Sequence, residues 1–252
     1  MNMKKNKIKV FRKADVLYLK ENRYKKPKEI TKLLTNKITK IHKKKRIFDI
    51  ADIGCAAGEF LYYLKNNLNY VNFYGFDSQH LLLNKAKNRV KNVEFIKKSI
   101  LTDFHKYKNK YDISTCLGVI QIFDDFEKPI KNLIKITKPG GKIFIQTLIN
   151  DFPIDVNIKY SKSKNWLNGR PTYQESGWNI ISKKTITKFL KNNKEVKNFK
   201  IYDIKYTYNQ NKDLKDPMRS WSVYLNNQKK IMNGLNLLIP EKIIEISLKD
   251  NT

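Results

Sequence analysis

The stretch Ile47-Phe48-Asp49-Ile50-Ala51-Asp52-Ile53-Gly54-Cys55-Ala56-Ala57-Gly58 decides the fold. Its first seven residues are dominated by apolar and β-branched side chains, as in a strand buried within a sheet. The next five are all small, and a helix is expected from about Glu59 to Lys65. Small residues at a strand-to-helix turn let the backbone approach a ligand, and the N-terminus of the following helix favours negative groups.

The same rhythm extends in both directions. Upstream, Ile30, Leu33, Leu34, Ile38 and Ile41 recur at helical spacing, which predicts an amphipathic helix over 28–43. Its last turn runs into Lys43-Lys44-Lys45-Arg46, a favourable place for cations at a helix C-terminus. Downstream, the pattern predicts strand 71–77, helix 79–90, strands 93–97 and 111–117, helix 126–137, and strand 142–148 after Pro139-Gly140-Gly141. Alternating strands and helices of this length form a doubly wound α/β sheet, mostly parallel and covered on both faces. Beyond 150 the rhythm changes. A polar, aromatic stretch over 151–180 precedes a helix N-capped by Ser182. Strand-like segments follow at 197–208, 219–225, 229–236 and 242–248, with Asn226-Asn227-Gln228 as a hairpin turn. The expected division is an N-terminal helical segment (1–45), a ligand-binding core (46–150), and a loop, helix and antiparallel strands (151–252) that complete the same domain.

A chain of 252 residues buries a sizeable core. It has no apolar run long enough for a membrane span. Met1-Asn2-Met3-Lys4-Lys5 is basic but lacks the apolar stretch of a secretion signal, so the cytoplasm is the expected compartment. Cys55 and Cys116 read as buried thiols of a reducing compartment, with no metal role. The charge is unusual: 52 basic against 23 acidic residues gives +29. Such an excess attracts anions, nucleic acid among them. Yet only six of the basic residues are arginine, the side chain suited to bidentate phosphate and base recognition. The lysines are spread along the whole chain, beside abundant Asn and Ile, a pattern that a solvated surface of biased composition also produces.

Two further features sharpen the turn. Asp77 stands nineteen residues past Gly58, at the end of the second strand, where a carboxylate can accept both hydroxyl protons of a ribose. A nicotinamide-binding Gly-x-Gly-x-x-Gly counted from Gly54 would need glycine at 59, where Glu59 stands. The order of turn, acidic strand end and Pro-Gly-Gly resembles the class I S-adenosylmethionine-dependent methyltransferases, which are Rossmann-like. Asp52-x-Gly54-x-Ala56-x-Gly58 looks like their first motif, with alanine at the usual middle glycine, and Tyr74-Gly75-Phe76-Asp77-Ser78 is similar to their second. Phe95 to Ile100 matches the segment that usually ends in an aspartate contacting adenine, with Ser99 in its place. Tyr111 to Gly118 resembles the fourth strand, and Lys138-Pro139-Gly140-Gly141-Lys142 the turn before the fifth. The resemblance covers roughly 45–150.

The resemblance implies S-adenosylmethionine as the cofactor. Gly54, Ala56 and Gly58 would pack against its methionine half, and Asp52 would orient its ammonium. Asp77 would hold the ribose, with Ser78 and Gln79 beside it. Ser99 and Ile100 would flank the adenine, and Leu117 and Gly118 would border the sulfonium. For the acceptor, the stretch Trp166 to Asn179 combines aromatics, amides and Arg170 in a loop expected over the C-terminal edge of the sheet, where such folds bind ligands. Asp155, Tyr160, Tyr173 and Trp178 are candidate contacts there. The stretch Asp216 to Ser222 and Met232-Asn233-Gly234 are candidates for an opposite wall. Arg170 and Arg219 are candidates for an anionic group on the acceptor. No motif identifies a general base: Asp124 and Asp125 read as a helix start, His80 as a helix-surface residue and His105 as a loop residue. This ensemble loosely resembles methyltransferases of bacterial surface-polysaccharide biosynthesis. It implies a small sugar-type or phosphorylated acceptor; an RNA methyltransferase is the alternative, and a binding protein that keeps the cofactor pocket without catalysis is a lesser one. The Asn-Pro-Pro-Tyr-like signature of amino-group nucleic-acid methylation is absent after the fourth strand, where Gly118-Val119-Ile120-Gln121 stands.

Overall fold

The computed structural model describes residues 17–42, 47–207, 209–212, 214 and 218–250. The basic run 43–46, residues 1–16 of the expected N-terminal segment, and Asp216 and Pro217 of the expected acceptor wall lie outside the described residues.

Five strands form the parallel part of the sheet: β1 (Phe48–Ile53), β2 (Val71–Asp77), β3 (Glu94–Lys97), β4 (Tyr111–Leu117) and β5 (Thr137–Asn150). The helices of this half are α1 (Leu17–Lys20), α2 (Glu29–Ile41), α3 (Glu59–Lys65), α4 (His80–Arg89) and α5 (Glu127–Ile136). The C-terminal half adds α6 (Lys183–Asn192) and the strands β6 (Val196–Asp203), β7 (Trp221–Leu225), β8 (Gln228–Met232) and β9 (Glu241–Leu248). Across the main sheet the order is β3-β2-β1-β4-β5-β9-β6, with the two-residue strand Ile181–Ser182 also pairing with β5. Strands β3 to β5 run parallel, whereas β9 is antiparallel to both β5 and β6. The chain reverses direction of winding at β1, so a crevice opens beyond the C-terminal ends of β1 and β4.

Side chains of successive strand residues enter opposite layers. On β5, Ile143 and Ile145 pack with Leu133 of α5 and with Ile186 and Leu190 of α6. Phe144 between them packs in the other layer, with Leu34 and Ile38 of α2, Leu61 of α3 and Leu83 of α4. Full burial of a leucine or isoleucine contributes about 1.5–3 kcal/mol, so the two layers fix the sheet from both sides.

Three local features have physical causes. Strand β5 starts at Thr137 rather than at 142: Tyr111 pairs with Thr137 and Ile113 with Lys142, and the Pro-Gly-Gly segment bulges out between them. A side chain at Gly141 would collide with the Lys138 and Asp112 carbonyls, so the bulge needs glycine there. The segments expected as strands at 219–225 and 229–236 form a separate hairpin, β7–β8, whose turn residues Asn226 and Asn227 both have positive φ. Asparagine tolerates that conformation, which matches the twist of a two-residue hairpin. Ser182 caps α6 as its sequence position predicts, its hydroxyl accepting the Thr185 N–H at 3.0 Å.

Candidate active site

The turn after β1 is held open by backbone geometry. Gly54 and Gly58 have φ of +80° and +77°, and a Cβ at Gly54 would collide with Val119. The N–H groups of Gly54 and Cys55 both donate to the Phe76 carbonyl, at 2.7 and 2.9 Å, which seats the turn on β2. Ala56 also has positive φ, +47°, and its N–H donates to Asp77 Oδ2 at 2.9 Å. The other oxygen of Asp77 accepts the Gln79 N–H at 2.7 Å. Asp77 therefore acts as a bracket between the turn and the start of α4.

A cleft of about 480 Å³ opens at this point. Its floor carries Asp52, Gly54, Ala56, Asp77, Ser78 and Gln79. Ser99, Ile100, Leu117 and Gly118 line its adjoining walls. Gly58 lies behind the turn, packed against Phe95, Ala86 and Val90, and not on the cleft surface. The Ser99 hydroxyl accepts the Leu101 N–H at 3.2 Å, a local turn that leaves its proton to give.

Two buried carboxyls set the electrostatics of the floor. Burial pushes Asp52 up to about 7; Thr115 Oγ1, donating to Asp52 Oδ1 at 2.7 Å, pulls it down, and the nearby Asp77 pushes it up again. Burial also raises Asp77, against the backbone N–H groups of Gln79, Ala56 and Ser78 that favour its charged form. Such a pair favours a ligand that brings a cation and hydroxyl donors. S-adenosylmethionine, with an ammonium, a sulfonium and a ribose diol, fits that demand and the small-residue turn.

The acceptor-side expectations divide. Trp178 and Arg219 line the cleft, whereas Asp155, Tyr160, Arg170 and Tyr173 stand outside it. Asp155 is used structurally, accepting from the Ser182 N–H and from Thr185 Oγ1 at the start of α6. The Tyr160 hydroxyl donates to Glu175 across a two-residue ribbon, at 2.8 Å. Arg170 lies in a tight Trp166–Pro171 hairpin turned at Asn168-Gly169, both with positive φ, and Trp166 and Leu167 beside it are exposed. Ser161 donates to the Tyr173 carbonyl, folding that part of the loop on itself. Most of 151–180 thus packs beside the cleft instead of over it. Asp124 anchors it, bonded to Lys159, Ser176 and Asn179. Asp125 caps α5 through the Glu127 N–H at 2.8 Å. His80 and His105 are both exposed. Arg219 is paired with Glu21 at 2.9 Å, and Arg23 grips the other oxygen of the same carboxylate at 2.8 Å.

Other residues close the cleft. Tyr18, Glu21, Arg23 and Lys28 come from the segment around α1 and before α2. Tyr206, Gln146 and Glu241 form the end beyond Gly118. The N–H of Gly118 donates to the Gln146 carbonyl at 3.0 Å, and Glu241 opens β9 directly opposite Leu148 of β5. Burial raises the Glu241 carboxyl, while the Tyr206 hydroxyl that donates to it, Lys28 and Gln146 pull it down. None of these was singled out in the sequence. Glu241 follows Ile239-Pro240 at the head of an apolar alternation, a visible strand start, but only the pairing of β9 with β5 brings it to the ligand edge. Cys55 and Cys116 are buried free thiols, each pushed up by burial. Among the described residues no cluster of metal-ligating side chains gathers, and no helix is long and apolar enough to cross a membrane.

A family model described as a methyltransferase domain matches residues 41–194. The chain belongs to that family, as a class I S-adenosylmethionine-dependent methyltransferase with the Rossmann-like sheet described above. Among curated relatives, it is 32% identical to a tRNA U34 carboxymethyltransferase of Helicobacter pylori over 46% of this chain and 48% of that one. It is 30% identical to a ubiquinone biosynthesis O-methyltransferase of Coxiella burnetii over 41% of this chain and 44% of that one. The chain thus spans about half the length of the curated relatives it matches. A solved S-adenosylmethionine-dependent methyltransferase from Methanosarcina mazei shares the fold, with a TM-score of 0.54 at 13% identity over 85% of this chain and 98% of that one.

Proposed function

We propose that this protein transfers a methyl group from S-adenosylmethionine to a small, polar, sugar-type acceptor, in the cytoplasm. The observation that carries this reading is the shape of the cleft: about 480 Å³, floored by the glycine turn and ending at Gln146, Tyr206 and Glu241. That volume is within the range of small-ligand sites, roughly 300–1,000 Å³. Asp52, Asp77, Ser78, Gln79, Ser99 and Ile100 would hold the cofactor, and Leu117 and Gly118 would border its sulfur. When bound, the cofactor supplies an electrophilic methyl group, so the protein's main task is to align the acceptor atom with it.

The charge of the acceptor end favours a neutral hydroxyl compound over a phosphorylated one. Both arginines at the mouth are engaged by Glu21, and Arg170 lies off the cleft. Hydroxyl groups of a sugar, as in surface-polysaccharide precursors, suit a wall of amides and carboxylates.

RNA is the second reading, favoured by the tRNA-modifying relatives and the lysine-rich surface. The two are separated by methyl transfer from labelled cofactor into total RNA and, in parallel, into a low-molecular-weight cell extract at physiological salt. Label in the extract, abolished by Asp77→Ala, is the expected result. Label in RNA alone would replace the preferred reading with the second.

A further inference from the structure

We propose that Glu241 is the general base of this site, taking the proton of an acceptor hydroxyl, and that Tyr206 positions it. The inference rests on the reading that a small hydroxyl compound occupies the cleft beyond Gly118. Three adjacent strands carry it. Gly118 directly follows β4, Gln146 lies beside it within β5, and Glu241 heads β9 on the far side of β5. Adjacent strands are about 4.8 Å apart, so Glu241 starts about 10 Å from Gly118 at backbone level. A glutamate side chain reaching back leaves room for one acceptor group between carboxylate and sulfur.

The surroundings of Glu241 suit the role. The Tyr206 hydroxyl donates to Oε2, which fixes the rotamer of the carboxylate. Tyr206 is held in turn by its position: its neighbour Thr207 donates its N–H to Glu29 of α2 at 2.9 Å, and Tyr206 packs on the small apolar cluster of Leu148, Ile231 and Ile239. Gln146 of β5 also donates toward Glu241, and Lys28, just before α2, is the cation that faces it. Glu21, Arg23 and Arg219 also share the cleft, the Glu21 carboxylate held between the two guanidinium groups. Lys242, the next residue of β9, is held on the opposite face by Asp151 and Asp203. Burial outweighs the donors and raises the carboxyl above the ordinary glutamate range. A stronger base close to the reacting hydroxyl is what an oxygen acceptor needs.

In the step itself the acceptor oxygen forms its bond to the methyl carbon as the carbon–sulfur bond breaks, and that electron pair leaves with sulfur. The hydroxyl proton passes to the Glu241 carboxylate, which later returns it to solvent. An amine acceptor, attacking through its own lone pair, would not require this transfer before attack.

The test uses the full chain, labelled S-adenosylmethionine and the low-molecular-weight extract, with rates followed from pH 5 to 9. Calorimetry with S-adenosylhomocysteine is run on every variant. Glu241→Gln is expected to lower transfer by about 10²–10⁴-fold, the usual worth of a general base, with ligand affinity within about threefold. Tyr206→Phe removes a donor to the carboxylate, so the acid limb of the rate profile is expected to move to higher pH, with activity recovered above it. A purely structural tyrosine would lower the rate at all pH values and leave the limb in place; that outcome overturns its positioning role. Transfer by Glu241→Gln within threefold of the parent, with the acid limb unchanged, overturns the base while leaving the proposed function intact. Labelled products methylated on nitrogen overturn it too. Absence of label from the extract in every variant, with S-adenosylhomocysteine still bound, overturns the proposed function and this inference with it.

Discussion

Ala56 and Asp77, twenty-one residues apart, are joined by a hydrogen bond of 2.9 Å from the Ala56 N–H to Asp77 Oδ2. The bond couples the shape of the turn after β1 to the acid at the end of β2. The same carboxyl that would meet a ribose therefore also holds the turn that would meet the methionine half of the cofactor.

That double duty separates two substitutions. Asp77→Ala leaves the Ala56 and Gln79 N–H groups, both half-buried at the cleft, without their carboxylate partner, and the loss of the two bonds costs about 1 kcal/mol each. Asp77→Asn keeps one oxygen to accept but loses the charge. Hydrogen bonds to a charged group contribute about 1.5–3 kcal/mol, so Asp77→Asn should weaken S-adenosylhomocysteine by about 10–100-fold while retaining most of the melting temperature. Asp77→Ala should lose both. Calorimetry paired with thermal unfolding checks this, and an Asp77→Asn protein binding within twofold of the parent would remove Asp77 from the cofactor site.

Asp52 gives a pH dependence. Burial, with Asp77 nearby, disfavours its charge and pushes its carboxyl up to about 7 in the folded protein, against an ordinary value of about 3.9. A raised carboxyl binds its proton more tightly folded than unfolded. Its contribution to stability is therefore fully present below about pH 4 and is lost as pH rises from there through about 7. A bound ammonium reverses the preference, so binding expels the proton. Affinity for S-adenosylhomocysteine should rise with pH up to about 7, by at most about tenfold per unit for one proton, and flatten above. Asp52→Asn should flatten the whole profile. An unchanged profile in Asp52→Asn would assign the titration to another group.

Much of the cofactor half was legible because its signals are local. A run of apolar β-formers followed by small residues fixes strand, turn and helix within one window, and the spacing to Asp77 follows from one helix and one strand. Ala56 is the local exception: it adopts the left-handed conformation that glycine takes at lower cost, and the bond to Asp77 holds it there. The acceptor half was less legible because it is assembled from distant segments. Tyr18, Gln146, Tyr206 and Glu241 meet only through tertiary pairing, and no period or spacing links them. Composition misled as well. Aromatics and an arginine in 151–180 resembled a binding loop, yet Trp166 and Leu167 lie on an exposed hairpin and Asp155 serves a helix cap.

A single lysine gathers the start of the segment that covers the cleft. Lys85 of α4 donates its ammonium to the carbonyls of Tyr18 at 2.8 Å and Leu19 at 3.0 Å, and also to that of Glu21. One cation thus gathers the C-terminal carbonyls of α1, a helix of four residues too short to hold itself. Two more bonds pin the residues after it: the Tyr24 hydroxyl donates to the Ala57 carbonyl at 2.7 Å, and the Arg23 N–H donates to Glu59 at 2.9 Å. Glu21 then reaches across the mouth to Arg219. Lys85→Met keeps the aliphatic stem but removes the charge, so residues 18–21 should detach while the sheet and its two apolar layers stay intact. A loss of about 1 kcal/mol would lower the melting temperature by only about 2–4 °C in a domain of this size. The larger effect should be kinetic: S-adenosylhomocysteine should dissociate about tenfold faster, and amide exchange should accelerate over 18–24 but not in β1 or β4. Unchanged dissociation together with faster exchange over 18–24 would mean that this segment covers the cleft without retaining the cofactor.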